Sequence, residues 1–267
     1  MTDLAGVRVV VTGASSGLGA AMAAALLDAG ATVALASRPT HRLDAAVAAH
    51  RAAGGDAHAL AVDVRDPGSV RQAADAAVST LGGVDVVVNN AGLGMRTVNP
   101  GFLERPQPFF DVSPEGFADL IHTNLTGYFL VARAFARIFI AQGQGRFVNI
   151  SINHETMGRA GFSPYGPSKA ALEAATAGWA RELDGTGVTV NALLPGGITD
   201  TAMVPDTAPE QARRRMLDPA VMVAPIQWLC SPDADAISGQ RIVANKWDPS
   251  LPANEAARRA LEPLPWT

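Results

Sequence analysis

The stretch Val7-Arg8-Val9-Val10-Val11-Thr12-Gly13-Ala14-Ser15-Ser16-Gly17-Leu18-Gly19 carries an apolar run of strand length straight into a glycine-rich turn. A helix pattern follows from about residue 16 to 29. Glycines at such a junction permit a tight turn and close approach of the main chain, and the start of the helix offers free N–H groups to a pyrophosphate. Gly13, Ser15, Ser16, Gly17, Leu18 and Gly19 are therefore candidate cofactor-binding residues. Their spacing is Gly-x3-Gly-x-Gly, which differs from the Gly-x-Gly-x2-Gly dinucleotide fingerprint.

Outward from this junction the same alternation recurs. Strand-length apolar runs fall at 32–36, 57–62, 84–88, 146–150, 188–194 and 240–244. Helix patterns fall near 42–53, 68–81, 115–142 and 164–183. Parallel neighbours require crossover connections, which are right-handed, so this order predicts a seven-stranded parallel sheet with helices on both faces. The expected architecture is one doubly wound, Rossmann-like α/β domain over residues 1–246, followed by a tail at 247–267. Two irregular segments interrupt the rhythm, 93–113 and 200–219, and both are candidate loops over a site. The stretch at about 199–218 is expected to border a substrate.

The second strand ends Ala36-Ser37-Arg38. A carboxylate here would accept hydrogen bonds from ribose hydroxyls and repel a 2′-phosphate. A serine and a guanidinium suit a phosphate instead, so Ser37 and Arg38 favour NADP(H) over NAD(H).

Tyr165 and Lys169 form a Tyr-x3-Lys pair whose i, i+4 spacing places both on one helix face. A nearby ammonium stabilises a phenolate, which makes tyrosine a usable general acid or base. Together with Thr12–Gly19, Asp63, Asn89-Asn90-Ala91-Gly92, Asn124 and Pro195-Gly196, this pair resembles the short-chain dehydrogenase/reductase family, and its classical members in particular. The resemblance runs from about residue 6 to 244. It implies a nicotinamide cofactor and hydride transfer between a ketone or aldehyde and its alcohol. It further implies Asp63 and Val64 near the adenine and Asn90, Ala91 and Gly92 near the adenosine ribose. Asn124 would hold a proton-relay water beside Lys169, Lys169 would bind the nicotinamide ribose, and Pro195, Gly196, Gly197 and Ile198 would flank the nicotinamide. With one residue more than the family's pattern, the 195–201 segment leaves open whether Thr199 or Thr201 meets the cofactor.

One departure touches the chemistry. The family's substrate-orienting serine lies thirteen residues before the tyrosine, and that position is Ile152 in Ser151-Ile152-Asn153-His154. A bulge could re-aim Ser151, Asn153 or His154 could supply the donor, or carbonyl reduction could be lost while NADP(H) binding or a non-redox reaction persists.

Composition sets the outer limits. The chain has 267 residues, 48% hydrophobic and 17% charged, with one cysteine and a formal charge of −4, which gives no basic footprint for nucleic acid. No membrane-length apolar run occurs, and Met1-Thr2-Asp3-Leu4 lacks a basic leader, so a cytoplasmic location is expected. The five histidines show no metal-ligand spacing, and no metal is expected. Phe102, Phe109, Phe110, Met157, Phe162 and Met203 point to an apolar or cyclic small-molecule carbonyl substrate. By resemblance, the helices at 115–142 and 164–183 imply a homodimer or homotetramer.

Overall fold

A computed structural model describes residues 2–265; Met1 of the expected leaderless start and Trp266 and Thr267 of the tail lie outside the described residues. In chain order the first elements are β1 (Arg8–Thr12), α1 (Gly17–Asp28), β2 (Thr32–Ser37), α2 (His41–Ala52), β3 (Ala57–Ala61), α3 (Pro67–Leu81) and β4 (Val86–Asn89). There follow α4 (Pro114–Ile121), α5 (Gly127–Gln142), β5 (Gly145–Ile150), α6 (His154–Met157), α7 (Tyr165–Glu182) and β6 (Val188–Leu194). The last are α8 (Glu210–Arg213), α9 (Val223–Leu229), β7 (Gln240–Val243), α10 (Ala253–Ala260) and β8 (Leu261–Pro263).

Among the described residues the sheet has eight strands in the order β3-β2-β1-β4-β5-β6-β7-β8. The expected seven pair in parallel, and the count is corrected by β8, which runs antiparallel to β7 with Ile242 opposite Leu261. Three residues ending in a proline carry no periodic pattern, so β8 exists only because β7 offers it an edge. Pro263 is tolerated there because an edge strand need not donate on its outer side. The sheet thus takes in part of the 247–267 segment, and Ala257 and Ala260 of α10 join the same apolar cluster as β1.

Strand alternation distributes β1 between two cores. Val9 and Val11 pack with Met22, Leu26 and Ile226 on one face, while Val10 packs with Ala73, Leu130 and Val131 on the other. Both faces are covered, which is why the strands read as continuous apolar runs. The 115–142 pattern resolves into α4 and α5 joined through a π-helical turn, His122–Thr126. Strand order reverses between β1 and β4, and a crevice opens at their carboxyl ends. No described helix is long and apolar enough to cross a membrane.

Candidate functional site

A cavity of about 680 Å³ occupies that crevice. At its centre the glycine turn is stitched to the end of β4. Thr12 Oγ1 donates to the Val88 carbonyl at 3.2 Å and accepts from the N–H of Asn90 at 2.9 Å and of Ala91 at 3.0 Å. Asn90 Nδ2 donates back to the Thr12 carbonyl at 2.9 Å. A Cβ on Gly19 would lie 2.3 Å from the Gly13 carbonyl oxygen and 2.4 Å from Asn90 Nδ2, so only glycine fits. Ser16 makes no side-chain cap to α1, which leaves first-turn N–H groups without that partner and directed at the crevice. Gly19→Ala is therefore expected to weaken nucleotide binding about tenfold or more through overpacking of ~1–3 kcal/mol, measured by NADPH fluorescence titration beside a thermal melt.

One end of the cavity is basic. Ser37, Arg38, Thr40, His41, Arg42, Asp63, Val64 and Arg65 line it. Hydrogen bonds from Arg65, 3.1 Å to Oδ1 and 3.0 Å to Oδ2, hold the Asp63 carboxyl below its ordinary range. Arg38 and Arg42 make no side-chain hydrogen bond or ion pair among the described residues.

The opposite end holds the phenol. Tyr165, Lys169 and Glu173 lie one turn apart along α7. Lys169 is buried, and its Nζ donates to the Ile150 carbonyl at 2.7 Å and the Tyr128 hydroxyl at 3.1 Å, lying 4.6 Å from the Tyr128 ring centroid. Burial pulls the Lys169 ammonium down to about 7 and pushes the Tyr165 phenol up to about 12. Asn124 sits in the π turn, where single-turn irregularities accompany functional sites. Its amide clamps Leu93, accepting from the N–H at 2.7 Å and donating to the carbonyl at 2.9 Å, and reaches Ser168 Oγ at 3.3 Å. Gly92 lies against it: a Cβ there would be 3.1 Å from Asn124 Oδ1.

Pro195, Gly197, Ile198, Thr199 and Thr201 line the cavity between its two ends. The Gly196 carbonyl accepts from Asn153 Nδ2 at 2.9 Å and Asn245 Nδ2 at 3.0 Å. Thr201 faces the glycine turn, 3.5 Å from a Cβ placed on Gly17, whereas Thr199 is buried with its hydroxyl bonded to Gly197. Most of the expected cofactor residues thus line one cavity; Gly19, Asn124 and Gly196 stand behind its lining.

The serine position resolves differently from the bulge expectation. β5 keeps register with β6 through Ile150 opposite Leu193, and Ser151 continues it by donating its N–H to the Leu193 carbonyl at 2.9 Å. Alternation turns the Ser151 hydroxyl onto Glu173 Oε1 at 2.7 Å. Glu173 is fully buried and needs such donors. His154 Nε2 approaches Glu173 Oε2 at 3.0 Å, and His154 Nδ1 lies 3.0 Å from Arg241 Nη1. Arg241, itself buried, reaches the Ile152 carbonyl at 3.0 Å and Glu262 Oε2 at 3.1 Å. Its Nε lies 3.3 Å from Glu173 Oε1, an ion-pair separation without hydrogen-bond geometry.

Apolar side chains line the cavity beyond Tyr165: Ile152, Met95, Phe102, Leu103, Phe162 and Met203. Phe102 and Phe162 meet edge to face, with centroids 5.4 Å apart. Phe109, Phe110 and Met157 are not on this wall; both phenylalanines are 74% exposed and meet edge to face in a 3-10 turn after Pro108. Arg96 bridges the two irregular segments over the mouth, donating to the Ala202 carbonyl at 3.0 Å and Asp206 at 3.1 Å. Sequence reasoning missed Tyr128, Glu173 and Arg241. Two of them had a signal, since Tyr128 follows Asn124, and Glu173 follows Lys169, by one helical turn.

Comparison with known proteins agrees with this geometry. The family model described as short chain dehydrogenase matches residues 7–212. An oxidoreductase of Mycobacterium tuberculosis (strain CDC 1551 / Oshkosh) is 35% identical over 87% of this chain and 88% of its own. The crystal structure of a Beutenbergia cavernae protein described as a putative NAD(P)-dependent gluconate 5-dehydrogenase, with NADP bound at low occupancy, superposes with a TM-score of 0.80. It is 31% identical, covering 91% of this chain and 96% of its own. A 3-ketoacyl-(acyl-carrier-protein) reductase from Brucella melitensis, complexed with NADH, gives 0.78 at 28% identity over 90% and 96%.

Proposed function

The chain belongs to the short-chain dehydrogenase family and is a hydride-transfer oxidoreductase, and from that premise we propose that it interconverts an apolar or cyclic ketone or aldehyde and its alcohol using NADP(H). One observation carries the reading: Tyr165 and Lys169 close one end of a cavity whose centre is a main-chain cradle too tight for any side chain at Gly19. The free N–H groups of α1 and the glycine contacts fit a dinucleotide pyrophosphate. Gly13, Ser15, Ser16, Gly17, Leu18 and Thr201 would hold that group, Asp63 and Val64 the adenine, Asn90, Ala91 and Gly92 the ribose. Pro195, Gly196, Gly197 and Ile198 would flank the nicotinamide.

A nicotinamide held by these residues would supply or accept hydride at the carbonyl carbon. Tyr165 gives the oxygen its proton in reduction and removes it in oxidation. Lys169, as an ammonium, favours the phenolate and opposes the desolvation that otherwise holds the phenol high. Asn124 acts from behind, by fixing Leu93 and Ser168 beside Lys169.

Arg38 and Arg42 support NADP(H): the neighbours include one complex of each cofactor, so the preference rests on this chain's basic end. Arg38→Ala is expected to raise the NADPH KM about 10- to 150-fold with little change for NADH, the loss of one charge-assisted hydrogen bond of ~1.5–3 kcal/mol. Equal losses with both cofactors would overturn the assignment. Among the described residues the wall beyond Tyr165 carries no carboxylate or guanidinium, which supports an uncharged substrate. Exposed Phe117, Phe129 and Ile140 on α4 and α5 fit burial in a homodimer or homotetramer, and the lone buried thiol of Cys230 fits the cytoplasm.

A second reading keeps the fold without carbonyl reduction, as an NADP(H)-binding regulator or a non-redox enzyme. Ile152 at the serine position is the observation that favours it. The test is NADPH depletion across cyclohexanone, 1-indanone, acetophenone and 2-decanone, with NADH and Tyr165→Phe as controls. Tyrosine-dependent turnover supports the reductase. Tight NADPH binding with no turnover of any ketone moves the assignment to the second reading.

A further inference from the structure

We propose that Thr156 donates the hydrogen bond to the substrate oxygen that Ile152 is unable to give, an inference that rests on the reductase reading above. An oxygen acquiring charge needs a fixed donor in addition to its proton source. Around Tyr165 the polar side chains on the cavity wall are Ser151, Asn153, Thr156 and Lys169. The other three already make side-chain hydrogen bonds, with Asn153 and Lys169 each keeping one further N–H. The Ser151 hydroxyl donates to Glu173, Lys169 donates to the Ile150 carbonyl and Tyr128, and the Asn153 amide donates to the Gly196 carbonyl. His154 has both ring nitrogens engaged, with Glu173 and Arg241. Thr156 is different: among the described residues its hydroxyl has no hydrogen-bond partner, and the residue lines the cavity.

Its position is fixed by main chain rather than left to a loop. The Thr156 N–H donates to the Asn153 carbonyl at 3.0 Å. Its neighbour Met157 abuts the first turn of α7, where a Cβ on Gly166 would be 2.2 Å from the Met157 carbonyl oxygen. Thr156 and Tyr165 are therefore adjacent to residues in direct contact, and both face the cavity. Arg241 holds the near end of the same segment through the Ile152 carbonyl. The hydroxyl needed by the chemistry has been displaced from the end of β5 to α6, and Ile152 adds apolar surface at the strand-end position.

In reduction, hydride adds to the carbonyl carbon, the C=O π pair moves to oxygen, and that oxygen takes its proton from Tyr165. Thr156 keeps its own proton throughout and stabilises the oxygen by hydrogen bonding alone.

The experiment uses whichever ketone of the panel the wild type reduces fastest. Thr156→Val should lower kcat about 10²–10³-fold, the effect of removing one such donor, with KM little changed. NADPH binding by fluorescence and the melting temperature should stay at wild type. Thr156→Ser should retain activity, and Ile152→Ser should restore it in the Thr156→Val background. Thr156→Ala is the second removal of the hydroxyl if the valine variant does not fold. Turnover within about threefold of wild type in Thr156→Val, beside an inactive Tyr165→Phe, would sink the Thr156 role and leave the reductase standing. A loss that Thr156→Ser shares and Ile152→Ser does not rescue would mark a structural part and overturn the proposal. Absence of any wild-type turnover overturns both readings together.

Discussion

Tyr165→Phe should reduce ketone turnover by about 10²–10⁴-fold while NADPH still binds with near wild-type affinity. The phenyl ring fills the same space, so only the proton donor is removed. Burial alone would hold this phenol at about 12, and the chain places the buried Lys169 one turn further along α7. Lys169 is itself pulled down to about 7 by burial. The sign of the pH dependence follows. Reduction needs the proton on Tyr165, so its rate falls as pH rises through the apparent value of the phenol. Oxidation needs the phenolate, so its rate rises over the same range. Both limbs should vanish in Tyr165→Phe; a variant that keeps wild-type turnover would exclude Tyr165 as the acid or base.

Arg241→Met is expected to destabilise the fold by ~3–5 kcal/mol, because it leaves the fully buried Glu173 without its cationic partner. For a domain of this size that corresponds to a melting temperature lower by roughly 10 °C. Three other contacts are lost with it, those to the Ile152 carbonyl, Glu262 Oε2 and His154 Nδ1. Pairing it with Glu173→Gln should recover part of the loss, since the uncompensated charge is then gone. Additive melting losses in the double variant would show that the ion pair is not what links the two residues. The strand-end segment 151–154 is anchored by this network, so Arg241→Met should also lower kcat more than it raises KM.

The legible parts of the site were those encoded locally. The glycine turn, Arg38 at the end of β2 and the Tyr165–Lys169 spacing each depend on a few consecutive residues or one helical turn, and the structure gathers them around one cavity. Phe109 and Phe110 misled because composition says that a segment is aromatic and not which way it faces; here they meet edge to face in solvent. Tyr128 and Glu173 were written at helical spacing from Asn124 and Lys169, yet spacing does not reveal burial. Arg241 carried no local signal at all. It lies on β7, and its partners come from the loop after β5, from α7 and from β8.

What the amino-acid sequence determined by itself was the doubly wound sheet and the direction of its crevice. Apolar runs covered on both faces demand crossover helices, and β1 leads through glycine into a helix N-terminus whatever the rest of the chain does. What only the tertiary structure decided was the fate of the hydroxyls near Tyr165. Strand register turned Ser151 onto Glu173, while the packing of Met157 on Gly166 brought Thr156 to the cavity wall. Periodicity assigns a residue to a face of its own element. Which groups fill the hydrogen-bonding needs of a buried carboxylate is settled by elements distant in the chain, because a buried charge recruits whatever donors the fold places within reach.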